Sequence, residues 1–251
     1  MSRARRRFLV EEPQIREGRV VLTGGQFHHA RRVLRLKRGD KIGLFTRSGV
    51  QYAARVESAQ SDSMVLEIIS ERGDVRAARL ELTVVQGVVK GPAMDMIVQK
   101  CGELGVARLV AAGIKRCTVR LPSDRWEART ERWQKIADRA AEQCSAARPM
   151  QVSVARDLAE ALSLCPQMPI IALHQEERES SLGQAIKRVR GATSLALVIG
   201  PEGGLDAGEV EMLRRAGAQF ASLGQRVLKA ETAVLAACAI VMYALGELDA
   251  V

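Results

Sequence analysis

Four charged residues, Glu202, Arg226, Lys229 and Glu231, stand in or beside two glycine-bearing stretches, GPEGG at 200–204 and LGQRVLKAETA at 223–233. A carboxylate at such a turn can take a proton, and a cation can steady the anion that develops as a proton leaves. Glycines let a ligand come close to the backbone, because no Cβ intervenes. Two plainer readings stand beside this one. Glu202 can hydrogen-bond the N–H groups of its own turn, and the stretch can be a tight connection that binds nothing. It is not a phosphate loop, since no Gly-Lys-Ser/Thr follows. Nor is it G-x-G-x-x-G, which disfavours a nicotinamide dehydrogenase.

The elements that must hold these residues are legible around them. The apolar run at 195–199 reads as a strand buried on both faces. Asp206 followed by Glu209 has capping-box spacing. Val210, Leu213 and Ala216 mark one helical face, and Gly217 stands where a helix stops. From residue 80 the pattern alternates. Strands are expected at 80–89, 108–113, 152–155, 170–173, 195–199 and 220–223. Helices are expected at 94–104, at 124–147 with Ser123 as cap, and at 158–164, 182–189, 210–216 and 233–245. Such alternation predicts a mostly parallel sheet with helices on both faces. In such a sheet the strand ends running into LHQEE, GPEGG and LGQRVLKAETA emerge at one edge, where ligands of open α/β sheets lie. Without a phosphate loop, the pocket suits a ligand that lacks a phosphate chain.

Residues 1–75 differ. Short strands at 8–10, 20–22, 41–45, 50–56 and 64–69, with a Ser48-Gly49 hairpin turn, predict a small β-barrel. One helical piece, FHHARRVLRLKRGD, interrupts them, with Ala30, Val33 and Leu34 on one face. The polar stretch at 71–78 reads as a linker. This part holds 15 Lys and Arg against 9 Asp and Glu, an excess of +6 within the chain's +9. A basic concentration of this kind is the footprint of a polyanion partner, a solubilising surface being the plain alternative. Five scattered cysteines, never in C-x-x-C, point to a reducing cytosol and away from disulfides or a zinc site. Three histidines, two of them adjacent, disfavour a metal centre. No secretory signal is evident, and the longest apolar stretch, 233–245, is too short to span a bilayer. The expectation is a cytoplasmic protein with no membrane segment and no metal.

The stretches FHHARRVLRLKRGD, VVKGPAMDMIVQKCGELGV, KRCTVR, WQKIADRAAEQC, LVIGPEGG and LGQRVLKAETA, in this order, resemble the ribosomal RNA small subunit methyltransferase E family. That family belongs to the knotted SPOUT methyltransferases, and the resemblance runs along nearly the whole chain. It implies an α/β fold: a PUA-like β-barrel RNA-binding domain at 1–75, then a trefoil-knotted, mostly parallel SPOUT methyltransferase domain at 76–251. It also implies S-adenosyl-L-methionine as cofactor, a homodimer, and methylation of N3 of a uridine in 16S ribosomal RNA of the small subunit. By the same resemblance Leu173, His174, Ile199, Gly200, Pro201, Gly203, Leu223, Gly224, Val227 and Leu228 surround the cofactor. Arg3, Arg6, His28, Arg32, Arg35, Lys90 and Arg116 are the residues expected to meet RNA. The alternatives are a SPOUT enzyme acting on another RNA nucleotide, and a non-catalytic RNA-binding assembly factor. Departures from the family pattern are Lys229-Ala230 where Arg-Thr is usual, Pro92-Ala93, and Ser145-Ala146 after EQC. They leave the cofactor loops intact.

Overall fold

The computed structural model describes residues 7–73, 79–119 and 125–248. The expected cap Ser123 and linker residues 74–78 lie outside that range, as do Arg3 and Arg6. The chain divides into two compact units. One is Met1–Ala77 with Ala141–Pro149, and the other is Ala78–Ala140 with Met150–Val251.

The first unit is built on a five-stranded sheet in the order β1-β3-β4-β5-β2, formed by β1 (Arg7–Leu9), β2 (Arg19–Thr23), β3 (Lys41–Phe45), β4 (Gln51–Ala59) and β5 (Ser63–Arg72). All its pairings are antiparallel except β1 with β3. β2 alternates exposed and buried residues, so Val20 and Leu22 enter the core with Phe8, Phe27, Leu44, Val56 and Leu66. Register shifts at Ala53/Ala54 and Val56/Ser58 bend β4, and bulges of this kind curl a sheet towards a barrel. The helical piece begins earlier than its sequence suggests. It starts as α1 (Gly24–His28) and continues as a π-turn over His29–Val33. The wider turn rotates Val33 outward, to 67% exposure, so Val33 does not share the inner face with Ala30; Leu36 is buried there instead.

The second unit is a six-stranded, wholly parallel sheet in the order β11-β9-β10-β6-β7-β8. The strands are β6 (Glu81–Gly87), β7 (Arg108–Ala112), β8 (Gln151–Ala155), β9 (Ile170–Leu173), β10 (Ser194–Ile199) and β11 (Gln219–Ala221). Between them come α2 (Gly91–Glu103), α3 (Trp126–Cys144), α4 (Leu158–Ser163), α5 (Leu182–Arg188) and α6 (Ala207–Arg215), with α7 (Ala230–Ala244) last. The strand period of two sorts each strand between two cores. Leu195, Leu197 and Ile199 of β10 pack with α2, α5 and α7 residues such as Ile97, Ile186 and Val241. Ala196 and Val198 turn the other way, to Leu158 of α4 and Leu213 of α6. Burial on both faces explains why β10 reads as a continuous apolar run. Among the described residues no helix is long and apolar enough to cross a membrane.

Candidate active site

The sheet order makes β11, β9 and β10 neighbours although they are not consecutive in that order along the chain. Their ends are level. Leu173 pairs with Ile199 on one side and with Ala221 on the other. The segments after these three strands therefore leave one edge together, which brings Leu173, His174, Ile199, Gly200, Leu223 and Gly224 to the same end of the sheet.

The segment after β10 folds back at once. Pro201–Gly204 is a turn closed by the Gly204 N–H, which donates to the Pro201 carbonyl at 2.9 Å. A Cβ on Gly200 would lie 2.8 Å from the backbone of Gly204, so only glycine allows this return. The left-handed residue is Gly204, at φ +71°, not Gly203. Gly203 owes its identity to another part of the protein. A Cβ there would stand 3.0 Å from Arg116 Cβ and 3.1 Å from Arg116 O.

Beneath this turn lies Gln86, at the end of β6 and fully buried. Its amide nitrogen donates to the carbonyls of Gly87 at 2.8 Å and Gly200 at 3.2 Å. Its Oε1 is buried and has no hydrogen-bond partner among the described residues. Flipping the amide would aim that oxygen at two carbonyls, so the orientation is fixed by chemistry. Next to it, a Cβ on Gly87 would meet Pro201 Cδ at 2.6 Å. The tip of β6 is thus a floor fitted to the underside of GPEGG.

The walls are braced from α6 and from the loop after β7. Asp206 and Glu209 form the expected capping box, with bonds of 2.7 and 2.8 Å. Glu209, only 4% exposed, also accepts from the Lys115 N–H at 2.8 Å, and Lys115 Nζ reaches Asp206 at 2.9 Å. Lys115 holds the Asp206 carboxyl below its ordinary value. Arg116 donates to the Gly203 carbonyl at 3.1 Å, a strut for the turn as well as an exposed cation. Burial pushes the Cys117 thiol up to about 11, so it carries no thiolate at neutral pH.

After β11, Ser222 Oγ accepts from the Gly224 N–H and donates to the Gly224 carbonyl, and Gly224 sits at φ +107°. Val227 is 85% exposed, while Leu223 and Leu228 are half-buried. After β9, the His174 N–H is spent on the Ala221 carbonyl, and its ring stands edge-on to Phe220. Half-buried leucines, an uncovered valine and turn backbone at this end of the sheet would suit the adenine of S-adenosylmethionine, with apolar contact for the ring and backbone groups for its polar edge.

Among the four chemical candidates, Glu202, Arg226 and Lys229 are exposed and Glu231 is half-buried in the first turn of α7. None of the four side chains has a hydrogen bond or ion pair among the described residues, so Glu202 does not cap its own turn. Lys90 is exposed at the start of α2. His28, Arg32 and Arg35 are exposed on the first unit, with the His28 ring tilted against Phe27. Gln86, Gly87, Ser222 and the second reach of Glu209 escape a reading of the sequence. Only Gln86 leaves a signal there, as a side-chain amide inside the largely apolar run LTVVQGVV. Among the described residues no cluster of three or more His, Cys, Asp or Glu could hold a metal ion.

Residues 76–242 match the RNA methyltransferase domain family, and residues 22–69 match the RNA methyltransferase PUA domain. The chain is 31% identical to the ribosomal RNA small subunit methyltransferase E of Synechocystis, over 93% of this chain and 76% of that protein. It is 28% identical to the protein of the same description from Bacillus subtilis, over 88% of this chain and 89% of that one. The crystal structure of a ribosomal RNA small subunit methyltransferase E from Neisseria gonorrhoeae bound to S-adenosylmethionine superimposes with a TM-score of 0.86. It covers 98% of this chain and 100% of that one at 29% identity.

Proposed function

This chain belongs to the ribosomal RNA small subunit methyltransferase E family, and from that premise we propose that it methylates N3 of a uridine in 16S ribosomal RNA. The observation that supports the pocket best is the level ending of β11, β9 and β10, with GPEGG and LGQRVL leaving the same sheet edge on either side of β9. Leu173, His174, Ile199, Gly200, Pro201, Gly203, Leu223, Gly224, Val227 and Leu228 are the residues we assign to the cofactor.

When bound, S-adenosylmethionine supplies an electrophilic methyl group. The chain then has to position a base and deal with a proton. N3 of a neutral uracil carries a hydrogen, so its lone pair becomes available only as that proton leaves. Glu202 and Glu231 are carboxylates at the pocket with free oxygens, suited to accept it. Arg226 and Lys229, on the segment after β11, are exposed cations able to stabilise the anion left on the ring. Lys229 offers a point charge in place of the fork an arginine would give. In a duplex N3 is engaged in pairing, so the target nucleotide must be unpaired or flipped out. Mass-spectrometric mapping of small-subunit RNA, after incubation with the protein and S-adenosylmethionine, tests the assignment. Methyl groups found only at other atoms overturn it.

The work is divided between a barrel of residues 1–75 that grips RNA and a domain of residues 76–251 that carries out transfer. The active form is a homodimer. Ile240 and Tyr243 of α7 are 43% and 67% exposed and, with Leu248, leave apolar surface that a second copy would cover. Light scattering reads the mass directly, and a species of 27.4 kDa at micromolar concentration contradicts the dimer. Five free thiols suit the cytoplasm as its compartment.

A further inference from the structure

The first unit contains an open cleft of about 810 Å³ lined by Arg31, Arg35, Leu36, Lys37, Arg38, Glu57, Ser58 and Ala59. Its charge is one-sided. The side chains of Arg31, Arg35, Lys37 and Arg38 have no hydrogen bond or ion pair among the described residues. The acid in the lining, Glu57, is already bound by Arg19 through two bonds of 2.8 and 3.2 Å, which hold its carboxyl low. The nearby Asp40 carboxylate is occupied with the Lys37 N–H at 2.9 Å, closing the turn that carries Lys37 and Arg38.

The backbone around the cleft is unusual in a way that concerns one side chain. The π-turn ends with Leu34 N–H donating to His29 O and Leu36 N–H donating to Ala30 O, both at 3.0 Å. This is a Schellman-like termination widened by one residue, and its left-handed position normally belongs to glycine. Here that position is Arg35, at φ +52°. A bulky residue is strained in that conformation, and such strain collects where a side chain is in use. Opposite, the bulge at Val56/Ser58 spreads the edge of β4 that forms the other wall. The lining has no aromatic ring on which a base could stack and no side-chain amide that could read a base edge.

We propose that this cleft holds consecutive phosphates of an RNA strand and reads no base, so that the choice of nucleotide falls to the α/β unit. The inference rests on the RNA methyltransferase reading above, and adds the site and its mode of contact. Phosphate contacts position a strand without carrying sequence information.

The test uses the full chain, a fluorescent oligouridylate and a mixed-sequence RNA of the same length. Arg35→Gly is the informative variant, since glycine prefers the conformation that arginine is forced into. Its melting temperature should hold or rise while RNA affinity falls roughly fourfold at physiological ionic strength, with the salt slope smaller by about 0.7. Arg31→Gln with Arg38→Gln should lower affinity by roughly fifteenfold and the slope by about 1.4. Both RNAs should lose equally, and Arg16→Gln, which removes a cation of this unit outside the cleft, should change neither as much. Wild-type affinity and slope in Arg35→Gly and in the double variant overturn the proposal, as does a loss confined to one of the two sequences. S-adenosylmethionine affinity should be unchanged throughout. Failure of the wild-type protein to methylate RNA would instead count against the reading on which the inference rests.

Discussion

Gly87→Ala places one methyl group where the tip of β6 meets the GPEGG turn. The added Cβ would lie 2.6 Å from Pro201 Cδ, 2.7 Å from Pro201 N and 2.8 Å from Ile114 Cδ1. Ile114 can rotate away, but the proline ring and its backbone nitrogen cannot. To restore ordinary contact at 3.4 Å the turn must rise by about 0.8 Å, the difference between 3.4 and 2.6 Å. Overpacking of this kind costs about 1–3 kcal/mol, or roughly 2–4 °C of melting temperature for each kcal/mol in a chain of this size. The larger effect falls on the pocket. Gly200 is tied to Gln86 below and to Gly204 within the turn, so the whole loop moves as a piece. A misplacement near 1 Å can cost up to about 100-fold. Calorimetric titration should therefore show S-adenosylmethionine affinity reduced at least about tenfold, or about 1.4 kcal/mol. Gly91→Ala is the control, because a Cβ there meets nothing within 4 Å. If Gly87→Ala melts cooperatively and binds the cofactor as tightly as wild type, the tip of β6 does not set the position of the turn.

Gly203→Val should leave a folded chain that has lost most of its cofactor affinity, because two further carbons would collide with Arg116; unchanged calorimetry would remove the turn from the pocket. Whichever of Glu202→Gln and Glu231→Gln lowers kcat by about 10²–10⁴ with cofactor affinity intact identifies the proton acceptor, and two variants of wild-type rate would leave the chain without one. The Asp206 carboxyl is depressed in the folded state, chiefly by Lys115. Its stabilisation is therefore fully present above the ordinary value of 3.8 and is lost as pH falls through the lower folded value. Melting curves of wild type and Asp206→Asn should accordingly converge as the pH drops below that range, and a constant gap down to strong acid would contradict the pairing.

Local order was fixed by local sequence. The run LALVI, the Asp206–Glu209 box and the small-residue turn between them specify strand, turn and helix without help from the rest of the chain, because burial period and capping act over a few residues. The parallel sheet followed from alternation, and the grouping of three late strand ends followed from parallelism. The family's motifs are contiguous, which is why they are legible as strings. What lay beyond reach was contact at long separation. The glycine of GPEGG with a left-handed backbone is Gly204, while Gly203 is small because Arg116 lies against it. Gln86 became the floor of the turn only because the sheet order sets β6 beside β10. Ala141–Pro149 sides with the first unit, where Leu9, Phe45 and Ala141 pack together and the Leu9 N–H reaches Glu142, although no composition change marks the segment. Val33 faces outward because a π-turn adds one residue to a helix whose pattern assumes the ordinary pitch. Periodicity and capping are short-range properties of a chain, whereas strand order and the meeting of loops are decided by which surfaces exclude water together, and that choice belongs to the folded whole.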